Sequence, residues 1–387
     1  MGRLKELINK FRLSGDEEAK EIRLLDGIIS ESRIKLVKNL LKKKLVKIDI
    51  VKFDSELAKD ISYPQITALS KKVDVSEVNK DIKQKIIEGI FKEFSGKAFD
   101  VIPSIIAPHI TGMDDVKKAV AIQLFAKQPI HILLLGDPGT GKTDILRSAF
   151  NLAPISSFGL GSGTSGVGLV VTVKGDHIMK GLIPLADGGI CCIDELNLMK
   201  EESRAGLYNA MEKGFVTYDK GGNHYTFDAR IKVLATANPK EDKFIGKAIN
   251  ELREEIPFDA ALLTRFHLTF FIRKPGLKQF REIASLIASE KKSEISKDDI
   301  EIIKSYIEYS RKKEVSEISK GMQKEIVDFI SEIKKDEDKY LVEVSPRLVI
   351  GFMRLCKGLA LMEGRAEVSE KDVSRIKDIV KESLKIL

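Results

Sequence analysis

Residues 129–143 read PIHILLLGDPGTGKT, and this stretch decides the fold. The run up to Leu135 is short, continuous and almost wholly apolar, the pattern of a strand buried on both faces of a parallel sheet. It leads directly into Gly136-Asp137-Pro138-Gly139-Thr140-Gly141-Lys142-Thr143, a complete G-x-x-x-x-G-K-T, and the residues from Lys142 onward have helical spacing. Strand, glycine-rich turn and helix in that order make a phosphate-binding loop. The glycines let backbone N–H groups turn inward around β- and γ-phosphates, and the helix N-terminus adds the positive end of its dipole. Lys142 supplies a point charge, and the Thr143 hydroxyl is a ligand for Mg²⁺.

Upstream of the loop, Thr111 with Asp114 reads as the cap of a helix running to about Phe125. Downstream, three further apolar runs stand out: GGICCIDE from Gly188, IKVLATAN from Ile231 and LTFF from Leu268. Strands alternating with helices predict an α/β class domain, doubly wound about a parallel sheet, over 109–274. From 275 to 387 no strand pattern remains, and Ser296 with Asp299 and Ser369 with Asp372 read as capping boxes of a helical domain. On the N-terminal side, 1–73 reads as a small helical domain with a basic stretch from Arg33 to Lys47. Residues 74–108 read as linker helices opened by Asp74 with Glu77.

A second catalytic motif is expected where open α/β sheets bind ligands, at the carboxyl ends of strands. Ile190-Cys191-Cys192-Ile193 ends there in Asp194-Glu195. An acidic pair at a strand end is common by itself; downstream of a phosphate loop its members take separate tasks. Asp194 holds the Mg²⁺ shell and Glu195 orients and polarises the attacking water. Asn238 follows VLATA and emerges from another strand end beside the γ-phosphate, although an Asn before Pro239 is also an ordinary turn. Arg265, in LLTRF, and Arg347, in SPR, are candidates for contact with the γ-phosphate, against the plain alternative of surface arginines.

Composition narrows the class. The chain has 387 residues, 43% hydrophobic and 32% charged, which excludes disordered, collagen-like and disulfide-scaffold proteins and leaves room for two or three domains. The first residues lack the apolar core of a signal peptide, and no stretch approaches the ~18 apolar residues of a membrane span. The expectation is a cytoplasmic protein without a membrane partner. Cys191, Cys192 and Cys356 form no C-x-x-C pair, so they are expected to pack as small hydrophobes, with no zinc site. The net charge of +7 is compatible with a polyanion, but Lys and Glu alternate along most of the chain and charge alone does not choose.

Taken together the motifs resemble the minichromosome maintenance (MCM) branch of the AAA+ ATPases. The resemblance runs from about Ser104 to the C-terminus and is carried by SIIAPHITGMDDVKKAVAIQLF, GDPGTGKT, LADGGICCIDELNLM, AMEKGFVTYDKGG, FDARIKVLATANP, LLTRF and SPRL, in that order. It implies an AAA+ P-loop core followed by an all-α lid, ATP and Mg²⁺ as nucleotide and metal, and Asn238 as first sensor. Arg265 becomes the arginine finger and Arg347 the second sensor, both acting on a neighbouring subunit, so a homo-oligomeric, six-membered ring is expected. Gly214 to Phe227 resembles the family's pre-sensor hairpin, with Lys220 at the tip where a matching lysine contacts DNA phosphate. From the residues alone, K-G-G between VTY and HYTF is a hairpin turn with an exposed cation. Gly168 to Leu182 resembles the helix-2 insert. Asn197 and His267 stand where members usually carry aspartates, and Gly141 replaces a usual alanine. The OB-fold and zinc-binding module and the C-terminal winged helix have no counterpart, so the expectation is a reduced, archaeal-type member. Its expected function is a DNA helicase or translocase, in replication or in a mobile element. The competing readings are an AAA+ ATPase that remodels a protein partner or loads on DNA without unwinding it, and a magnesium chelatase-like motor, which matches these strings less well.

Overall fold

A computed structural model of the chain describes residues 88–385 apart from 90, 175–176, 221–222, 275, 277–280 and 282–296. The N-terminal helical domain, the start of the linker helices, the Asp74–Glu77 cap and Ser296 lie outside the described residues. The described residues fall into two compact units, one holding those within 88–101 and 297–306, the other those within 102–281 and 307–385. The second unit carries every candidate site residue.

Each apolar run becomes a strand: β1 (Ile132–Gly136), β5 (Ile190–Asp194), β8 (Lys232–Ala237) and β9 (Leu268–Ile272), joined at one edge by β2 (Ser156–Leu160). They form a five-stranded sheet in the order β2-β5-β8-β1-β9, and every pairing is parallel. All residues of β1, β5, β8 and β9 are buried. Continuous apolar sequence is what a two-sided burial demands, and each fully buried Leu or Ile contributes roughly 1.5–3 kcal/mol relative to exposure. Helix α1 (Asp114–Phe125) precedes β1, and α2 (Lys142–Leu152) follows it.

Two antiparallel hairpins stand off the sheet. One pairs β3 (Val171–Lys174) with β4 (His177–Lys180), within the stretch read as the helix-2 insert. The other pairs β6 (Phe215–Lys220) with β7 (Asn223–Asp228), directly after α3 (Ala205–Lys213). A short helix, α4 (Ala260–Leu263), leads to β9. Beyond the sheet the described chain is helical: α5 (Lys297–Arg311), α6 (Lys320–Lys335), α7 (Pro346–Met362) and α8 (Glu370–Leu384). Helix α7 packs on α1, and α8 lies against β9.

Two local expectations divide. The Asp372 carboxylate accepts the Ser369 N–H at 2.8 Å, so that helix starts in the expected way. Helix α1 does not: its N-cap is Met113, with no side-chain cap bond, because Gly112 turns the chain at φ 79° and puts Thr111 outside the first turn. The positive dipole end there faces Asp114 and Asp115 instead. The three cysteines are buried and unpaired, and burial pushes the Cys191 thiol up to about 12. Among the described residues, no group of three or more His, Cys, Asp or Glu residues is placed to hold a metal, and no helix is long and apolar enough to cross a membrane.

Candidate functional site at the carboxyl ends of the strands

The parallel order brings the ends of β1, β5 and β8 side by side, with Leu135 opposite Ala237 and Ile193 opposite Ala235. The phosphate loop, the Asp194–Glu195 pair and Asn238 therefore emerge on the same edge. Within the loop Gly139 and Gly141 adopt φ 76° and 88°. Gly141 is the N-cap of α2, and a Cβ there would come within 2.6 Å of Ile110 Cδ1. Both the backbone and the neighbour therefore call for glycine, which explains why the usual alanine is absent.

Lys142 is buried, and its ammonium donates to the carbonyls of Gly136 at 2.8 Å and Asp137 at 2.6 Å. Burial pulls its pKa down to about 8, against the opposing pull of Asp137 and Asp194. The Asp137 carboxylate accepts the backbone N–H groups of Phe244 and Lys274, both at 2.9 Å. That acid braces the loop against two neighbouring segments and leaves only its main chain to face a phosphate. Thr140 is held inward by a bond from its hydroxyl to the Asp137 carbonyl at 2.9 Å.

Thr143 and Asp194 meet directly: the Thr143 hydroxyl donates to Asp194 Oδ1 at 3.1 Å. Hydroxyl and carboxylate oxygens are the hard donors that Mg²⁺ takes, so the pair fits that ion. Glu195, next along, has the left-handed backbone φ 52°, ψ 48°, a conformation that costs on the order of 1–3 kcal/mol in a non-glycine residue. Its surroundings impose it. The Asp194 carbonyl accepts the Gly161 N–H at 2.7 Å, and any Cβ at Gly161 would lie 2.0 Å from the Glu195 carbonyl oxygen.

Two residues complete this edge in ways the motif reading missed. The Thr236 hydroxyl donates to Asp194 Oδ1 at 2.5 Å and accepts the Glu195 N–H at 2.9 Å, tying both acids to β8. A hydroxyl near the carboxyl end of a buried strand whose other polar residue is Lys232 at the far end, two before Asn238 and so on its face, is the available signal. Lys117 donates to the carbonyls of Ala107 and Ile110 at 2.9 and 2.6 Å, fixing the segment that covers Gly141. Asn197 also gains a role: its Oδ1 accepts the Asn238 N–H at 3.1 Å, a task that needs an acceptor and no charge.

Arg265 and Arg347 lie elsewhere. Arg265 precedes β9, whose first residue pairs with Ile132 at the start of β1, and the His267 N–H bonds the His131 carbonyl just before β1. The phosphate loop leaves the opposite end of β1, four residues and roughly 13 Å away. Arg347, in the first turn of α7, joins Arg265 at this amino-terminal edge. Lys220 is the last residue of β6, opposite Asn223, and the Gly221-Gly222 turn read from the sequence lies outside the described residues.

With this geometry in hand, comparison with known proteins is decisive. A family model for the MCM P-loop domain matches residues 87–290, and one for the MCM AAA-lid domain matches residues 301–384. The chain belongs to the MCM family. It is 32% identical over 304 residues to the minichromosome maintenance protein MCM of Saccharolobus solfataricus, covering 73% of this chain and 44% of that protein. To the DNA replication licensing factor mcm4-B of Xenopus laevis it is 29% identical over 341 residues, 80% of this chain and 39% of the relative. To the licensing factor mcm7 of Xenopus tropicalis it is 30% identical, covering 74% of this chain and 43% of the relative. The chain thus spans less than half the length of these MCM relatives, and the matched part is the P-loop and lid portion that carries the site described above.

Proposed function

We propose that this chain is an ATP-hydrolysing MCM motor that assembles into a hexameric ring, completes each catalytic site between neighbouring copies and acts on DNA. In this reading 109–274 is the ATPase core and 275–387 the lid. The loop from Gly136 to Thr143 and the charge on Lys142 bind the β- and γ-phosphates, while Thr143 and Asp194 hold Mg²⁺. The ion, when bound, neutralises charge on the phosphate oxygens. Glu195 orients a water and receives its proton as the oxygen attacks the γ-phosphorus; the bond to the bridging oxygen breaks, leaving ADP and phosphate. Asn238 contacts the γ-phosphate group from the end of β8. Arg265 and Arg347 stabilise the developing charge on the ATP of an adjoining subunit.

The observation that carries this reading is the separation along β1 and β9. An arginine beyond the amino end of β9 is more distant from its own phosphate loop than an arginine side chain extends, which supports a phosphate target on a second copy. Lys220 at the hairpin tip is then the residue offered to DNA, by a phosphate contact that is salt-sensitive and indifferent to sequence.

The test is subunit mixing. Arg265→Ala and Glu195→Gln proteins, each inactive alone, should regain ATPase activity when co-assembled, since a mixed interface can join an intact Glu195 to an intact Arg265. Single-stranded DNA should stimulate the parent ATPase at low salt, and Lys220→Ala should abolish that stimulation while basal turnover persists. No recovery in a demonstrably mixed assembly overturns the shared site. A parent ATPase that ignores DNA overturns the DNA motor in favour of a machine that remodels a protein.

A further inference from the structure

Glu212, the penultimate residue of α3, plays no part in the chemistry assigned so far, yet both arginines converge on its carboxylate. Arg265 Nη2 lies 3.0 Å from Oε2, and Arg347 Nη2 lies 3.5 Å from Oε1. The three residues come from three different elements: α3, the turn after α4, and the first turn of α7. Each arginine is anchored on a second side. Arg265 stacks over the Tyr208 ring at 4.8 Å and donates Nη1 to the Ala261 carbonyl. Arg347 donates Nη1 to the Thr264 carbonyl at 3.4 Å. The hydrogen bonds and ion pairs use only the terminal NH₂ groups, each with a second hydrogen, so both forks keep a donor for a phosphate oxygen.

We propose that Glu212 is a positioning residue that holds Arg265 and Arg347 together as one two-arginine unit for the phosphate of a neighbouring copy. The inference rests on the shared-site reading above. Two guanidinium groups brought to one spot repel each other, and a carboxylate with one oxygen for each removes that repulsion and sets their spacing. Glu212 also sets the lid arginine relative to the core arginine, because among the described residues no other acidic side chain is ion-paired to either one. The Glu212 side chain is 47% exposed. Ion pairs this open add little to folding stability, so the carboxylate can be altered with the fold left standing.

The experiment is ATP turnover by assembled Glu212→Gln protein, with Glu212→Asp as the conservative variant and thermal melting as the check on folding. Glu212→Gln should lower kcat roughly 10- to 100-fold, the scale of a misplaced catalytic group, with KM for ATP almost unchanged. Glu212→Asp should recover part of the loss. Mixing decides the assignment: Glu212→Gln subunits should regain activity with Glu195→Gln subunits and none with Arg265→Ala subunits, because Glu212→Gln and Arg265→Ala carry their defects on the same side of an interface. Parent-like kcat in Glu212→Gln overturns the inference, and so does recovery with Arg265→Ala. If Arg265→Ala and Glu195→Gln complement each other but Glu212→Gln complements neither, the shared site stands and this inference alone falls. If even that first pair fails, both fall.

Discussion

The two ends of one parallel sheet are built on different principles. At the carboxyl ends of β1, β5 and β8 the functional groups lie within a few residues of their strands, and the bonds that orient them are local or cross one strand spacing: Thr143 to Asp194, Thr236 to Asp194, Asn238 to Asn197. At the amino ends of β1 and β9 the groups that matter are brought together from α3, the α4 turn and α7, over sequence separations of more than 50 and more than 80 residues. The first edge is a complete phosphate cradle within one chain. The second has cations and no cradle of its own. On the proposed reading, such a site is active only where one copy's first edge meets another's second.

The largest effects should come from breaking the first edge, and they should differ in kind. Lys142→Ala removes the charge that the loop has buried at its centre and should lose nucleotide binding altogether. Glu195→Gln spares the cradle and should keep nucleotide affinity while turnover falls by roughly 10²- to 10⁴-fold, the usual contribution of a general base. Equilibrium binding of a fluorescent ATP analogue beside steady-state hydrolysis separates the two. If Glu195→Gln turns over at the parent rate, this edge does not hold the chemistry.

A smaller effect sharpens the same comparison by touching only a bond that crosses between strands. Thr236→Val keeps the shape of the side chain but leaves the Glu195 N–H without its acceptor and Asp194 without a donor. An unmet buried N–H costs about 1–3 kcal/mol, and loss of such an outer support typically lowers activity by roughly 10- to 100-fold. Hydrolysis should fall within that range, and mixing with Arg265→Ala subunits should restore it, since the defect lies on the cradle side.

These contrasts also mark what the sequence discloses. The phosphate loop is legible because its glycines, lysine and threonine act through their own local backbone, and the buried strands because two-sided burial demands unbroken apolar residues. Strand β2 gives no such signal: its SSFGL has two serines and a glycine, with only Phe158 and Leu160 apolar and bulky, since an edge strand with partial exposure does not require an apolar run. Thr111 was misjudged as a cap because the sequence does not reveal that Gly112 would turn the chain first. Arg265 and Arg347 are candidates whose roles come from the resemblance, while Glu212, within AMEKGFVTYDKGG, is given no role by it. Its partners lie 53 and 135 positions away in sequence, and only the folded chain brings them together.

The smallest expected effect concerns the second edge in acid. His131 and His267 are both buried there; His131 Nδ1 accepts the Val233 N–H at 3.1 Å, and His267 Nδ1 accepts the His131 N–H at 3.0 Å. Desolvation pushes their pKa values down to about 3 and about 2, with nearby Arg354 and Arg347 adding to the shift. An unfolded chain protonates the same rings near pH 6.5. Between about 6.5 and 3 the unfolded state therefore holds more protons than the folded one, so stability is present above pH 6.5 and is lost as pH falls. The slope is up to ~1.4 kcal/mol per pH unit for each ring. His267→Asn keeps an acceptor of similar reach but cannot take a charge, so it should remove about half of this acid sensitivity while leaving nucleotide binding at neutral pH unaltered. Urea unfolding at a series of pH values between 6.5 and 4 measures the slope. An unchanged slope would mean that the two rings do not carry the acid response, and that the packing of this edge depends on its arginines instead of its histidines.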